Sequence, residues 1–254
     1  MESPIYSIII PAYNEGQRIA ATLEKIIAYV SQQRWQAELI VVNDGSTDNT
    51  VEVVNSFKSR APYLRLVENP GNRGKGYSVR NGMLHASGDI LLFSDADLSA
   101  PIYEAEKLFR AIEDGADVAI GSRWLNRELQ KERQPIHREL LGRAFNIALR
   151  IVLGLSYKDT QCGFKAFTRE AAQRIFPNLK IERWGFDPEI LFLANRLKLK
   201  VVEVPVEWSH DERSHISPMK DGIRMLGEMV KVRLNSVGGK YSAISQRRFA
   251  TPLS

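Results

Sequence analysis

Five short apolar runs, at residues 6–10, 38–42, 64–67, 90–93 and 118–120, constrain this chain most, because each is separated from the next by a segment of helical pattern. Strands alternating with helices at this spacing specify βαβ units and a mostly parallel sheet. Strand twist then fixes a right-handed crossover for each unit. After the first run, a polar stretch at 12–18 leads into an amphipathic helix through about residue 31, and Asp48 suits the cap of a helix running towards 59. Residues up to about 123 are therefore expected to form a doubly wound α/β domain of nucleotide-binding type.

In such a sheet, ligands bind at the carboxyl ends of the strands. The fourth run ends in Phe93-Ser94-Asp95-Ala96-Asp97-Leu98-Ser99, so two carboxylates emerge there. Paired hard oxygen ligands suit a divalent cation that also holds phosphate oxygens. Short acidic pairs are common, however, and Asp97 equally suits the start of a helix, so the neighbouring loops decide. Pro11-Ala12-Tyr13-Asn14-Glu15 follows the first strand and Asn43-Asp44-Gly45-Ser46-Thr47-Asp48 the second, and both open onto the same edge. A carboxylate beside a glycine turn can accept from the ring N–H of uracil or guanine, with an aromatic stacked alongside; it can also simply close a turn. Asn69-Pro70-Gly71-Asn72-Arg73-Gly74-Lys75-Gly76 is a basic, glycine-rich loop opening a helix, whose N–H groups and Lys75 can meet phosphate. It lacks the Walker spacing, and no Gly-x-Gly-x-x-Gly follows the first strand, which disfavours a dinucleotide dehydrogenase.

The second half carries two segments of another kind. Across 140–155, Arg143, Asn146 and Arg150 share one narrow stripe on an otherwise apolar helix. Across 223–234, Arg224, Glu228, Lys231 and Asn235 oppose Ile223, Leu226, Met229 and Val230. Wide apolar faces with basic stripes suit helices lying in a membrane interface, or helices packed on the sheet or in a dimer. Residues 1–238 are expected to form a single domain, with a nucleotide half at about 1–123, an acceptor half at about 124–238 and a weakly ordered tail at 239–254.

The formal net charge of +5 suits phosphates, nucleic acid or an anionic membrane surface. No groove-reading element accompanies the charge, which argues against nucleic acid. A lone cysteine, Cys162, excludes an intrachain disulfide and favours a reducing compartment. The start, Met1-Glu2-Ser3-Pro4, has no basic-then-apolar signal pattern. No stretch approaches the roughly 18–20 apolar residues that span a bilayer.

In order along the chain, Pro-Ala-Tyr-Asn-Glu, Asn-Asp-Gly-Ser-Thr-Asp, Gly-Lys-Gly and Asp-Ala-Asp resemble the family 2 glycosyltransferases of GT-A fold. The match continues through Gly121-Ser122-Arg123, Asp159-Thr160-Gln161-Cys162-Gly163-Phe164-Lys165, Arg183-Trp184-Gly185-Phe186-Asp187-Pro188-Glu189 and Val204-Pro205-Val206-Glu207-Trp208. The later motifs resemble the branch that glycosylates polyprenyl phosphates, and are more similar to its dolichyl-phosphate glucosyl members than to its mannosyl ones.

The resemblance implies roles. Pro11, Tyr13, Glu15 and Asp44 would hold the nucleoside, and Lys75 and Asp95 would serve the diphosphate. Asp97, with Asp95, would bind a magnesium or manganese ion. Arg123 and Arg138 would face acceptor or sugar phosphates, and Gln161 and Asp187 would lie near sugar and acceptor. Where relatives carry a Gly-Ser-Lys/Arg after the Glu-Trp strand, this chain has Glu212-Arg213-Ser214-His215, so Arg213 or His215 would supply that cation. The implied reaction is inverting, metal-dependent transfer from UDP-glucose to a polyprenyl phosphate. It would occur peripherally on the cytoplasmic face of a membrane, met through the amphipathic helices, with a homo-oligomer or a separate membrane partner as further expected associations. GDP-mannose as donor, a soluble acceptor, or a non-catalytic nucleotide-sugar-binding protein at a membrane surface are the alternatives. Many relatives carry transmembrane helices, which this sequence does not show.

Overall fold

The computed structural model describes residues 4–130, 136–209 and 218–241. The chain runs β1 (Tyr6–Ala12), α1 (Ile19–Gln33), β2 (Ala37–Asn43), α2 (Thr50–Phe57), β3 (Leu64–Glu68), α3 (Lys75–His85) and β4 (Ile90–Ser94). It continues through α4 (Ala105–Glu113), β5 (Val118–Ser122), α5 (Ile136–Leu153), β6 (Phe164–Thr168) and α6 (Arg169–Ile175). The last elements are α7 (Phe186–Arg196), β7 (Val201–Pro205) and α8 (Pro218–Val237).

These strands form one 7-stranded sheet in the order β3-β2-β1-β4-β6-β5-β7. β1 is parallel to both neighbours, with Ala12 opposite Asn43 on β2 and Ile9 opposite Phe93 on β4. Because β2 lies on one side of β1 and β4 on the other, the crossovers diverge there, and a crevice opens beyond the carboxyl ends of β1 and β4. β6 runs antiparallel to both β4 and β5, while β7 returns parallel to β5. The apolar pattern does not reveal β6, because its sequence Phe-Lys-Ala-Phe-Thr carries a lysine at its second position.

Both faces of the sheet are covered, which explains why the strands read as continuous apolar runs. Ile8, Ile10, Leu39, Val41 and Leu92 meet Leu23, Ile26, Val54, Leu108 and Phe109 on one face. Ile9, Ile40, Val42, Leu91 and Phe93 meet Val79, Ile190, Leu193 and Met229 on the other. The side-chain period of two along each strand sorts neighbours to opposite layers.

α5 and α8 pack against each other. Their inward residues, among them Leu149, Leu153, Met225, Met229 and Val232, are buried. Two residues of the expected polar stripes, Asn146 and Asn235, are buried as well. Asn146 turns inward because it is needed there: its Nδ2 donates to the Lys158 carbonyl at 2.6 Å, and its Oδ1 accepts from Thr160 Oγ1 at 2.6 Å. The outer surface keeps apolar residues instead: Ile147 and Ile151 on α5, and Val230, Leu234 (66% exposed) and Val237 (87% exposed) on α8. Among the described residues, no helix is long and apolar enough to cross a membrane. Past α8 the described chain reaches a fully buried Tyr241.

Candidate active site

A cavity of about 340 Å³ occupies the crevice beyond β1 and β4, a size suited to a small ligand. Pro11, Tyr13, Glu15, Asp44, Lys75, Asp95 and Asp97 all line it, so the loops after three strands and the start of α3 converge as their positions in sequence suggested. Arg18, Asn72, Ser78, Arg183 and Trp184 complete much of the wall. The exposed Tyr13 ring offers a stacking surface at the mouth. Glu15 is ion-paired with Arg18, and its N–H donates to Thr50 Oγ1 at 2.8 Å, which ties the β1 loop to α2.

Asp44 is buried, and both of its oxygens are engaged by the glycine-rich loop. Oδ1 accepts from Asn69 Nδ2 at 2.8 Å and from the Arg73 N–H at 2.9 Å, while Oδ2 accepts from the Gly74 N–H at 2.7 Å. Its observed contacts therefore shape the loop that delivers Lys75. Gly45 and Gly74 have positive φ, +72° and +107°, which side-chain-bearing residues rarely adopt. At both positions a β-carbon would also collide with backbone atoms, of Gly71 and Glu182 respectively.

The charged centre is a chain of alternating sign. Lys75 Nζ lies 2.5 Å from Asp95 Oδ1 and 5.4 Å from the centre of the Trp184 ring. Burial works against its charge, but Asp95, Asp187 and Asp97 outweigh burial and hold the ammonium above its ordinary pKa. Burial, reinforced by the Asp95 carboxylate, pushes Asp97 up, although its Oδ1 accepts from the Ser99 N–H at 2.9 Å. Asp187, on the first turn of α7, is ion-paired with Lys165, whose Nζ also donates to the Cys162 carbonyl at 2.5 Å. Burial raises Asp187 as well, opposed by Lys165 and then Lys75. Lys165 is fully buried.

Arg123, at the end of β5, belongs to a neighbouring cluster. Its Nε and Nη2 donate to Asp159 Oδ2 and Oδ1 at 2.7 and 2.8 Å, and its backbone N–H reaches Oδ2 at 3.0 Å. The guanidinium lies 5.8 and 5.4 Å from the ring centres of Trp124 and Trp208, and Arg143 lies 4.9 Å from Trp124. Gln161 contacts Met225 of α8 through Nε2, 3.8 Å from Sδ. Arg123, Gln161 and Asp187 thus stand beside the cavity and not among its lining residues. Arg138 falls within α5, with its side chain outside the described set, and Arg213 and His215 lie outside the described residues.

Several wall residues, Arg18, Arg183 and Trp184 among them, are not predicted from the sequence to have a role. Arg183 and Trp184 belong to a quoted motif, but arrive from a loop remote in sequence. Arg18 gave no signal, because a polar residue leading into a helix ordinarily faces solvent. The donor set also suits a metal ion. No group of three potential His, Cys, Asp or Glu ligands occurs among the described residues. Two carboxylates facing a cavity leave the remaining positions to phosphate oxygens and water, as magnesium and manganese commonly accept when bound with nucleotide phosphates.

The family model for Glycosyl transferase family 2 matches residues 7–176. The chain belongs to glycosyltransferase family 2. Within this family, it is 37% identical over 265 residues to a dolichyl-phosphate beta-glucosyltransferase of Trichomonas vaginalis, covering 99% of this chain and 77% of the relative. It is 38% identical to the dolichyl-phosphate beta-glucosyltransferase of Saccharomyces cerevisiae, over 94% of this chain and 77% of the relative. The Homo sapiens protein of the same name is 32% identical over 95% of this chain and 79% of the relative. Among solved structures, glucosyl-3-phosphoglycerate synthase from Mycobacterium tuberculosis in complex with UDP superposes with a TM-score of 0.68 at 22% identity, over 92% of this chain and 80% of that one. A complex of the same synthase with Mn²⁺, UDP and glucosyl-3-phosphoglycerate gives a TM-score of 0.66 at 23% identity, over 92% of this chain and 80% of that one. The architecture is the GT-A fold, as the resemblance implied.

Proposed function

We propose that this family 2 enzyme transfers glucose from UDP-glucose to a dolichyl-type polyprenyl phosphate with inversion, giving a β-linked lipid-phosphate sugar. The observation that carries this reading is the convergence, in one cavity, of a nucleoside-facing wall (Pro11, Tyr13, Glu15) with the Lys75–Asp95–Asp97 cluster. It occurs in a chain whose relatives, over nearly its whole length, are named for that reaction.

The chemistry suits these residues. The acceptor is a phosphate monoester, largely ionised near neutral pH because its second pKa is about 6. Its oxygen can attack the anomeric carbon without first losing a proton to a protein base. The carbon–oxygen bond to UDP breaks as the new one forms on the opposite face, and the electron pair leaves with the diphosphate. Asp97 and Asp95 would hold a magnesium or manganese ion, which supplies positive charge to the diphosphate. Lys75 adds a fixed ammonium whose field is strengthened by burial. Asp187, already paired with Lys165, serves to order the cationic centre. Arg123, locked by Asp159, presents a preset positive edge to the acceptor side.

The acceptor is carried in a membrane, and the exposed apolar stripes of α5 and α8 are the surface proposed to meet it. Arg224, Lys231 and Arg233, exposed on α8, complement anionic headgroups. The unpaired, buried Cys162 fits the reducing, cytoplasmic side. The test is transfer from radiolabelled UDP-glucose or GDP-mannose to a short polyprenyl phosphate, with Mg²⁺, Mn²⁺ or EDTA. Organic-extractable product from UDP-glucose alone, lost with EDTA, is the expected result. Product from GDP-mannose alone would overturn the donor, and metal-dependent donor hydrolysis without lipid product would overturn the acceptor.

A further inference from the structure

The donor cavity is walled on one side by Arg183 and Trp184, and the loop that carries them is tied to the glycine-rich loop by the Arg73–Glu182 ion pair at 2.8 Å. It is held by α8 at one end and by a residue just beyond α8 at the other. Glu228 Oε2 on α8 accepts from the Gly185 N–H at 2.8 Å. Gly185 is the residue before α7, so this carboxylate also sits at the positive end of that helix and satisfies one of its unpaired donors. The approach is so close that a β-carbon on Gly185 would lie 2.6 Å from Glu228 Oε2 and 2.6 Å from Met229 Cε.

The other attachment is indirect. Glu189 on α7 accepts from the Lys180 and Ile181 N–H groups, each at 2.9 Å, and the buried Tyr241 hydroxyl donates to the same carboxylate. From this doubly held loop, the Glu182 carbonyl accepts from the Tyr77 N–H at 2.9 Å on the first turn of α3. Gly74 and Gly76 lie directly against Glu182, Arg183 and Ile181, with no room for a side chain. The path therefore runs from Glu228 through Gly185 and Trp184 to the backbone that carries Lys75.

We infer that Glu228 is a positioning residue for donor binding: through Gly185 it sets the Arg183–Trp184 wall and the start of α3, although it is not among the residues that line the cavity. The inference rests on the reading of this cavity as the UDP-sugar site. It also gives α8 two tasks on opposite faces, an outward apolar stripe and an inward hold on the donor wall.

The test is UDP affinity by titration calorimetry in Mn²⁺, with wild type, Glu228→Ala, Glu228→Gln and Gly185→Ala, alongside KM for donor and for acceptor. Glu228→Ala is expected to weaken UDP about fivefold, in keeping with the net value of one hydrogen bond. Donor KM should rise in parallel while acceptor KM changes less than about twofold. Glu228→Gln keeps an acceptor oxygen and should restore near-wild-type affinity. Gly185→Ala, which keeps the carboxylate but displaces it, should reproduce the Glu228→Ala loss and carries the test if the latter fails to fold. Unchanged UDP affinity in the folded variants, or a loss in Glu228→Gln equal to that in Glu228→Ala, overturns the inference. Absence of UDP binding by the wild type overturns the donor reading itself.

Discussion

Gly163 gives up its side-chain space to Asp95: a β-carbon at position 163 would stand 2.3 Å from Asp95 Oδ2 and 2.6 Å from its Cγ. On its other side Asp95 is held by Lys75, so the carboxylate is confined between a backbone and an ammonium group. Gly163→Ala should therefore displace Asp95 without disturbing the core. The expected result is a fall in kcat of about 10²-fold, the scale of an ångström-size misplacement in an active site. Initial rates beside a thermal melt will check it, and an alanine variant with wild-type turnover would show that the confinement is incidental.

Asp97→Asn retains the side-chain volume and an acceptor for Ser99, but removes the charge offered to a cation. Turnover is expected to drop by about 10²–10³, comparable to losing a principal electrostatic group. The residual rate should no longer respond to EDTA. Titrating Mn²⁺ against both proteins in the presence of UDP measures the same loss without turnover.

Lys165 and Asp187 form an ion pair in which both side chains are almost wholly buried. Lys165→Met leaves a carboxylate buried without its partner, a change expected to cost about 3–5 kcal/mol in urea unfolding. The double variant Lys165→Met/Asp187→Leu should recover most of that stability while remaining impaired in catalysis. A double variant less stable than the single one would contradict this account.

Acid should loosen the Arg123 cluster in a defined direction. Burial alone would raise Asp159, but the bidentate guanidinium outweighs it and holds the carboxyl below the usual range. Its stabilising contribution is therefore complete above the unfolded-state pKa of about 3.9, and is lost as pH falls through the lower folded value. Asp159→Asn should be less stable near neutrality and show a shallower loss of stability below about pH 4. Urea midpoints across that range provide the measurement.

Leu234 and Ile151 project from α8 and α5 with most of their surface exposed. The Ile151→Glu/Leu234→Glu variant should lose co-sedimentation with anionic vesicles while keeping UDP affinity. It would also lose transfer to a membrane-embedded acceptor. Vesicle binding equal to wild type would overturn the proposed membrane contact through α5 and α8.

The half proposed to bind the donor was legible in the sequence because its information is local. Each binding loop follows an apolar strand, so a parallel sheet brings Tyr13, Asp44 and Asp95 to one edge without further input. The half proposed to meet the acceptor was less so. Lys165 interrupts the pattern of β6, and only the structure shows it meeting Asp187 across the core. Asn146 reads only as part of a narrow polar stripe, because polarity along a helix does not report the carbonyl and hydroxyl that meet it. Trp184 reaches the cavity through contacts between distant segments, for which no periodicity gives a signal.

The antiparallel β6 lies between β4 and β5, and this placement affects how the protein is made. As the chain leaves the ribosome, β1 to β4 can assemble once Ser94 has emerged, but one edge of β4 stays bare until Phe164–Thr168 follows. An uncovered strand edge invites pairing with other chains. The nascent protein is therefore most exposed to misassembly during synthesis of the segment from α4 to α5, before β6 arrives to close the sheet.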